Sequence, residues 1–323
     1  MNHFTQAPDI NTYNNLLKLA SEYKLNPFID KHLGLNKRVG LLFLNPSLRT
    51  RLSTQIAASN LGMESIVLNM DKDSWAIEFL DGAIMNGNTI EHIKDAAPIL
   101  GNYFDILCIR SFPSLKNKID DSKEVVLNSF IKYAHIPIIS LESATLHPLQ
   151  SLADCLTIQE YMHAFGDTIK NKKPKIVLTW GPHIKAIPHC VANSFAQWMQ
   201  LENDVDFVIT NPRRFNLSNE FTKNTYITHN QVEALENADF VYVKNWSSFD
   251  DYGNINSDPS WMLSNEKLKI TNNAKLMHCL PVRRNVEMSD EVIDSPNSLI
   301  QKQAANRVWA AQAVISTILK NKK

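Results

Sequence analysis

Val39-Gly40-Leu41-Leu42-Phe43-Leu44-Asn45-Pro46-Ser47-Leu48-Arg49-Thr50-Arg51 is the stretch from which the rest of the chain is read. The run from Val39 to Leu44 is continuously apolar, as expected of a strand buried on both faces. Asn45-Pro46 is a turn signal. An amphipathic segment, Leu52 to Leu61, follows. The order is strand, tight turn, helix start. A helix N-terminus presents unpaired backbone N–H groups and a partial positive charge. Two guanidinium groups and two hydroxyls join them here, and all are donors suited to phosphate oxygens. The stretch predicts a phosphate held beyond the carboxyl end of a strand.

The same alternation runs along the chain. Strands are predicted at Val39–Leu44, Ser65–Met70, Ile106–Arg110 and Ile136–Ser140. A second set is predicted at Lys175–Trp180, Asp206–Thr210, Tyr226–Thr228, Phe240–Lys244 and Lys275–His278. Helical patterns lie between them, such as Ile90–Leu100, where Ile90, Ile93, Ala97 and Leu100 share a face. Alternating strands and helices predict an α/β fold with doubly wound parallel sheets. At 323 residues the chain is too long for one comfortable core, so two domains are expected. The first covers residues 1–148 and the second residues 149–301. Leu149–His163 reads as a long linking helix, and Phe165–Pro174 as a polar surface connection. The segment 302–323 reads as a C-terminal helix packing back on the first domain.

Lys+Arg and Asp+Glu number 33 each, so no global basic field exists to hold nucleic acid or an anionic membrane. Any anion site must be local. Met1-Asn2-His3-Phe4-Thr5 lacks the basic-then-apolar pattern of a signal peptide. No apolar run approaches the roughly twenty residues needed to span a bilayer. Cys108, Cys155, Cys190 and Cys279 are widely spaced, without a C-x-x-C pair, and read as reduced thiols. The expected compartment is the cytoplasm.

Ligands of open parallel sheets bind beyond the carboxyl ends of the strands, and reactive groups gather there in both halves. The first strand leads into Ser47-Leu48-Arg49-Thr50-Arg51, another ends at Arg110, and the next is followed by Glu142 and His147-Pro148-Leu149-Gln150. In the second half, His183 and Lys185 follow Trp180, one strand ends at Lys244, and the last leads into His278-Cys279-Leu280-Pro281, Arg283 and Arg284. Each residue alone has a plainer reading: a solvated arginine, a helix-capping histidine, a cysteine filling core space. Trp75 sits among Asp71, Lys72, Asp73 and Ser74, which predicts a loop. Their shared position at strand ends carries the functional reading.

These residues resemble the transcarbamylases, which pair a Ser-x-Arg-Thr-Arg phosphate loop with His-Pro-x-Gln and His-Cys-Leu-Pro. This sequence has all three, in that order. The resemblance implies a two-domain enzyme, usually a homotrimer, that binds carbamoyl phosphate and needs no metal or organic cofactor. It implies that Ser47, Leu48, Arg49, Thr50 and Arg307 hold the phosphate. Arg110, His147 and Gln150 would hold the carbamoyl end, Pro148 and Leu149 are implied among the carbamoyl phosphate-binding residues, and Cys279 and Leu280 would contact the carbamoyl group and the incoming amine. Arg110, His147 and Cys279 are the implied catalytic residues, and Trp75 would reach in from a neighbouring subunit.

Ornithine enzymes of the family carry a Ser-Met-Gly loop with an upstream Asp that grips the free α-amino group. This chain reads Lys244-Asn245-Trp246-Ser247-Ser248-Phe249 there, a cation where an ammonium would need an anion. With Trp75, Glu142 and the His183-x-Lys185 pair, the pattern resembles the N-acylornithine branch. By that likeness Glu142, His183, Lys185, Lys244, Leu280 and Arg283 would bind an acylated ornithine. Ile90 stands where acetyl-type members place Glu and succinyl-type members place Pro. It lacks the charge that would repel a succinyl carboxylate, so N-succinylornithine is the expected substrate and N-acetylornithine the alternative. Glu287 has no role on this reading. Two other classes compete: a nucleotide-binding α/β protein, disfavoured by the absence of G-x-G-x-x-G and Walker loops, and a catalytically silent binding relative.

Overall fold

The computed structural model describes residues 1–70, 72–164 and 173–321. The strands in chain order are β1 (Arg38–Phe43), β2 (Glu64–Asn69), β3 (Ile77–Glu78), β4 (Glu91–His92), β5 (Ile106–Arg110), β6 (Ile138–Glu142), β7 (Lys175–Trp180), β8 (Asp206–Thr210), β9 (Tyr226–Thr228), β10 (Phe240–Lys244) and β11 (Lys275–Met277). The chain divides into two compact units. The first comprises Met1–Ser114, Ile119–Leu152 and Arg307–Lys323; the second comprises Leu115–Lys118 and Ala153–Asn306. Two of the boundaries, after Leu152 and after Asn306, fall within the helices Pro148–Ala164 and Ile300–Asn321; the short piece Leu115–Lys118 lies outside both. Most of the expected polar connection, residues 165–172, lies outside the described residues.

The first unit is built on a parallel sheet in the order β2-β1-β5-β6. Val39, Leu41, Leu42, Ile106, Leu107 and Ile109 are buried, as helices covering both faces of a sheet require. Each large aliphatic side chain so buried contributes roughly 1.5–3 kcal/mol. The helices Ile93–Tyr103 and Val125–Tyr133 pack together over this sheet, with Ile93, Ala97, Leu127 and Phe130 between them and the strands. Gly101 permits that approach, because a Cβ there would stand 2.1 Å from the Ala134 carbonyl oxygen. Phe4 pairs with the free side of β6: its N–H donates to Ile138 O at 2.9 Å, and it accepts from Ser140 N at 2.8 Å.

The second unit's sheet is also parallel, in the order β11-β10-β7-β8-β9. Its core includes Val177, Val241, Val243, Leu276 and Met288. Both sheets are doubly wound, and each has one place where the strand order reverses. In the first unit it lies between β1 and β5, in the second between β7 and β10. A crevice opens beyond the carboxyl ends of the strands at such a point. The chain leaves those four strands at Phe43, Arg110, Trp180 and Lys244.

Three local expectations are corrected, and one feature is new. β6 runs on to Glu142, because the Glu142 carboxylate is paired with Arg110 and so tolerates burial. β11 stops at Met277, since the His278 N–H donates to Gln303 Oε1 at 2.8 Å instead of to a strand. The third helix starts at Ile93, not Ile90: the His92 ring accepts from Lys94 N at 3.2 Å and caps it. The parallel pair β3–β4 was not anticipated; it clips the stretch after Trp75 to the stretch after Ile90. Among the described residues no helix is long and apolar enough to cross a membrane.

Candidate active site

In the first unit, the turn after β1 delivers Ser47 and Leu48 to the start of the Arg49–Asn60 helix. Leu48 is the N-cap and offers no side-chain acceptor, and no acid lies in the first turn. Ser47 Oγ accepts from Thr50 N at 3.3 Å. Arg307 donates to Thr50 Oγ1 at 2.5 Å and also to Gln150 Oε1. These bonds join the helix start, the His-Pro-x-Gln turn and the Ile300–Asn321 helix in one cluster.

Arg110, at the end of β5, donates through Nη1 to Glu142 Oε2 and lies over the Phe112 ring, 4.5 Å from its centroid. His147 Nε2 is 3.5 Å from the same Glu142 oxygen. Arg110, Glu142, His147, Gln150 and Arg307 are all buried. Arg49 Nε and Arg110 Nε are buried with no hydrogen-bond partner among the described residues. The structure thus brings together Ser47, Arg49, Thr50, Arg110, His147, Gln150 and Arg307. Glu142, expected to face the amine substrate, has Arg110 and His147 as neighbours in this unit. Trp75 lines a cavity with Leu44 and Met70, and its stretch is tied to that of Ile90: Trp75 Nε1 donates to Glu91 Oε2 at 2.8 Å, and Ile90 N donates to Ala76 O at 2.9 Å.

In the second unit, His183 follows β7 and Lys244 ends β10. Arg283 Nε donates to His183 Nε2 at 3.1 Å, which leaves the His183 proton on Nδ1, 2.9 Å from Lys185 O. Burial pulls the His183 pKa down, and the charges of Lys244 and Arg283 act in the same direction, so the ring is a neutral acceptor. Lys244 is buried and donates to Asn245 O at 3.0 Å. Lys185 and Arg283 are exposed.

Glu287 proves central to this unit. Its Oε2 accepts from Arg283 N at 2.7 Å, and its Oε1 lies 3.4 Å from His278 Nε2. His278 Nδ1 accepts from Leu280 N at 2.9 Å, so Nε2 carries the ring proton toward Glu287. Burial alone would raise the Glu287 pKa; His278, Lys244 and the Arg283 N–H outweigh it and lower it. The carboxylate therefore holds both ends of the 278–283 turn. Leu280 within that turn sits at φ 59°, a left-handed conformation unusual for leucine. Cys279 is buried beside the Tyr242 hydroxyl. Behind the turn, Gln303 links His278 N to Asp154 Oδ1, donating to the latter at 2.7 Å. Sequence reasoning named Glu287 without a role and missed Gln303 and Asp154. Both lie on helices far along the chain from His278, and no local pattern ties them to it.

The chain matches the carbamoyl-P binding domain of aspartate/ornithine carbamoyltransferase over residues 2–160 and the Asp/Orn binding domain over residues 191–318. It is 44% identical over 324 residues to the N-succinylornithine carbamoyltransferase of Bacteroides fragilis (strain 638R), covering 99% of each chain. It is 35% identical over 340 residues to the N-acetylornithine carbamoyltransferase of Xylella fastidiosa (strain Temecula1), covering 98% of each. A solved structure of a glutamate-to-valine variant of N-acetyl-L-ornithine transcarbamylase, complexed with carbamyl phosphate and N-succinyl-L-norvaline, superposes with a TM-score of 0.90. That match has 32% identity and covers 98% of this chain and 100% of that one. With both domains matched and a relative aligned over nearly its whole length, the chain belongs to the aspartate/ornithine carbamoyltransferase family and is a carbamoyltransferase.

Proposed function

We propose that this carbamoyltransferase transfers the carbamoyl group of carbamoyl phosphate to the side-chain amine of an N-acylated ornithine, and that the cap is succinyl. The products are N-succinyl-L-citrulline and phosphate, a step of arginine biosynthesis. The Ser47–Thr50 turn, Arg49 and Arg307 take the phosphate. Arg110, His147 and Gln150 take the carbamoyl oxygen. The neutral amine attacks the carbamoyl carbon, and the C–O bond to phosphate breaks. The bonding electrons leave with phosphate, which also accepts the proton lost by the amine. Negative charge grows on the carbamoyl oxygen in the tetrahedral transition state, where Arg110 and His147 stabilise it. Alignment of the two reactants supplies much of the remaining acceleration. Cys279 contacts the carbamoyl group, and the Leu280 carbonyl receives the amine.

Glu142, His183, Lys185, Lys244 and Arg283 serve the acylornithine. The observation that carries the acyl reading is the buried Lys244 ammonium at the end of β10. A free α-ammonium beside it would be repelled, whereas an amide would not. The succinyl cap is supported by the uncharged Ile90 side chain and by the higher identity to the succinylornithine relative than to the acetylornithine one. The succinyl-capped ligand bound by a glutamate-to-valine variant of the acetyl enzyme supports it further.

Phosphate release from carbamoyl phosphate, measured with N-succinyl-L-ornithine, N-acetyl-L-ornithine and L-ornithine in parallel, tests this. The expected kcat/KM is at least about tenfold higher for the succinyl than for the acetyl substrate, with free ornithine inactive. A preference for acetyl overturns the cap; activity with free ornithine alone overturns the acyl reading.

The same reading takes the working form as a homotrimer in which the Trp75 loop reaches a neighbour's site. Trp75, Leu80, Ile84 and Ile90 are 49%, 70%, 83% and 67% exposed. So much apolar surface on one loop supports a second copy of this chain as its cover.

A further inference from the structure

We propose that Glu124 is a positioning residue for His147, acting through the four-residue loop Ser143-Ala144-Thr145-Leu146. The inference rests on the role given to His147 above. Strand β6 ends at Glu142 and the next helix begins at Pro148, so this loop is the covalent link that carries the chain from Glu142 to His147. The loop closes on itself: Ser143 N donates to Leu146 O at 2.8 Å, and Leu146 N donates to Ser143 Oγ at 3.1 Å. Four donors of the loop reach one carboxylate. Ser143 Oγ, Thr145 N and Thr145 Oγ1 each lie 2.6 Å from Glu124 Oε1, and Ala144 N lies 3.1 Å from Oε2.

Glu124 breaks two local preferences to be there. It is the N-cap of the Val125–Tyr133 helix, yet its side chain makes no capping bond to that helix. Ser, Thr, Asp, Asn or Gly is the usual choice at such a position. Its backbone is also left-handed, φ 49° and ψ 42°, which costs a residue with a Cβ. A residue that violates local rules without serving its own helix marks a demand from elsewhere. Here the demand is the loop: Glu124 supplies the anion that fixes it, and with it the approach of His147 Nε2 to the Glu142 oxygen shared with Arg110.

The test compares Glu124→Gly, Glu124→Gln and His147→Ala in the full chain. Glycine adopts the left-handed backbone freely, so Glu124→Gly removes the carboxylate and spares the helix start. The expected result is a kcat lower by about a hundredfold, the scale of an ångström-level misplacement. The KM for carbamoyl phosphate should change little, because Arg49 and Arg307 are untouched. Added formate, a carboxylate small enough for the vacated cradle, should restore part of the lost kcat. Glu124→Gln should fall between, since its amide nitrogen meets a donor where an oxygen stood. It carries the same test if the glycine variant does not fold. Turnover of Glu124→Gly within about twofold of wild type, a loss confined to KM, or a kcat loss that formate leaves unchanged overturns the proposal. Wild-type turnover by His147→Ala would instead remove the reading of His147, whatever Glu124 does.

Discussion

Glu287 accepts from the Arg283 N–H and faces the protonated nitrogen of His278, so one carboxylate spans the turn that carries Cys279 and Leu280. In Glu287→Gln an amide N–H₂ must face one of those donors, an unpaired contact costing about 1–3 kcal/mol. The expected outcome is a loss of that size in urea unfolding. The KM for the acylornithine should rise, while binding of inorganic phosphate, assigned to Arg49 and Arg307, stays unchanged. An acylornithine KM equal to wild type would show that the turn does not position the amine. At this scale the sequence showed where a residue stands: Arg110 and Lys244 close strands and Arg49 opens a helix, as expected. It was silent where one residue works through another. Asp154, Gln303 and Glu124 meet partners 19 or more residues away, Glu287 meets Arg283 and His278 four and nine residues away, and hydrophobic periodicity carries no information about any of these pairs.

Among the elements, the long strands were readable because burial on both faces writes an uninterrupted apolar run. β3 and β4 were not, since two residues each have no period. The ends of β6 and β11 were misjudged where side chains, Arg110 and Gln303, set them. The segment after β10 is held by His189: its Nε2 donates to Ser247 O at 2.7 Å and its ring stacks on Tyr252. Lys118 Nζ lies 4.3 Å from the Phe249 ring centroid on the same segment. Burial pushes the His189 pKa from 6.5 down to about 4, with the Lys118 charge acting alike and the Ser247 carbonyl opposing. The unfolded chain therefore binds this proton more readily than the folded one. The stability tied to neutral His189 is complete above pH 6.5 and drains as the pH falls toward about 4. The shift corresponds to roughly 3 kcal/mol. Urea denaturation at pH 7, 5.5 and 4 should show a steeper acid loss for wild type than for His189→Phe. Parallel slopes would refute the assignment.

For the whole molecule, the alternation of strand and helix was enough to foresee two parallel-sheet units. Two of their boundaries were harder to see, because they fall within continuous helices where composition does not change. The proposed trimer belongs to this scale. Leu80→Asp with Ile84→Asp places charge on the exposed loop and should shift sedimentation from trimer to monomer, with activity falling at least about tenfold. A monomeric wild type would end the proposal. The first unit also has a consequence for how the protein is made. The Arg307–Thr50 bond joins residues 257 apart, across the whole of residues 153–306. During synthesis every residue of the second unit leaves the ribosome before Arg307 does. The second unit can begin to fold as a nearly continuous piece, while the phosphate cradle waits, open, with its turn already made and its clasp still untranslated. A chain interrupted before residue 307 would carry every other residue of that cradle and still lack the cation that fastens Gln150 to Thr50.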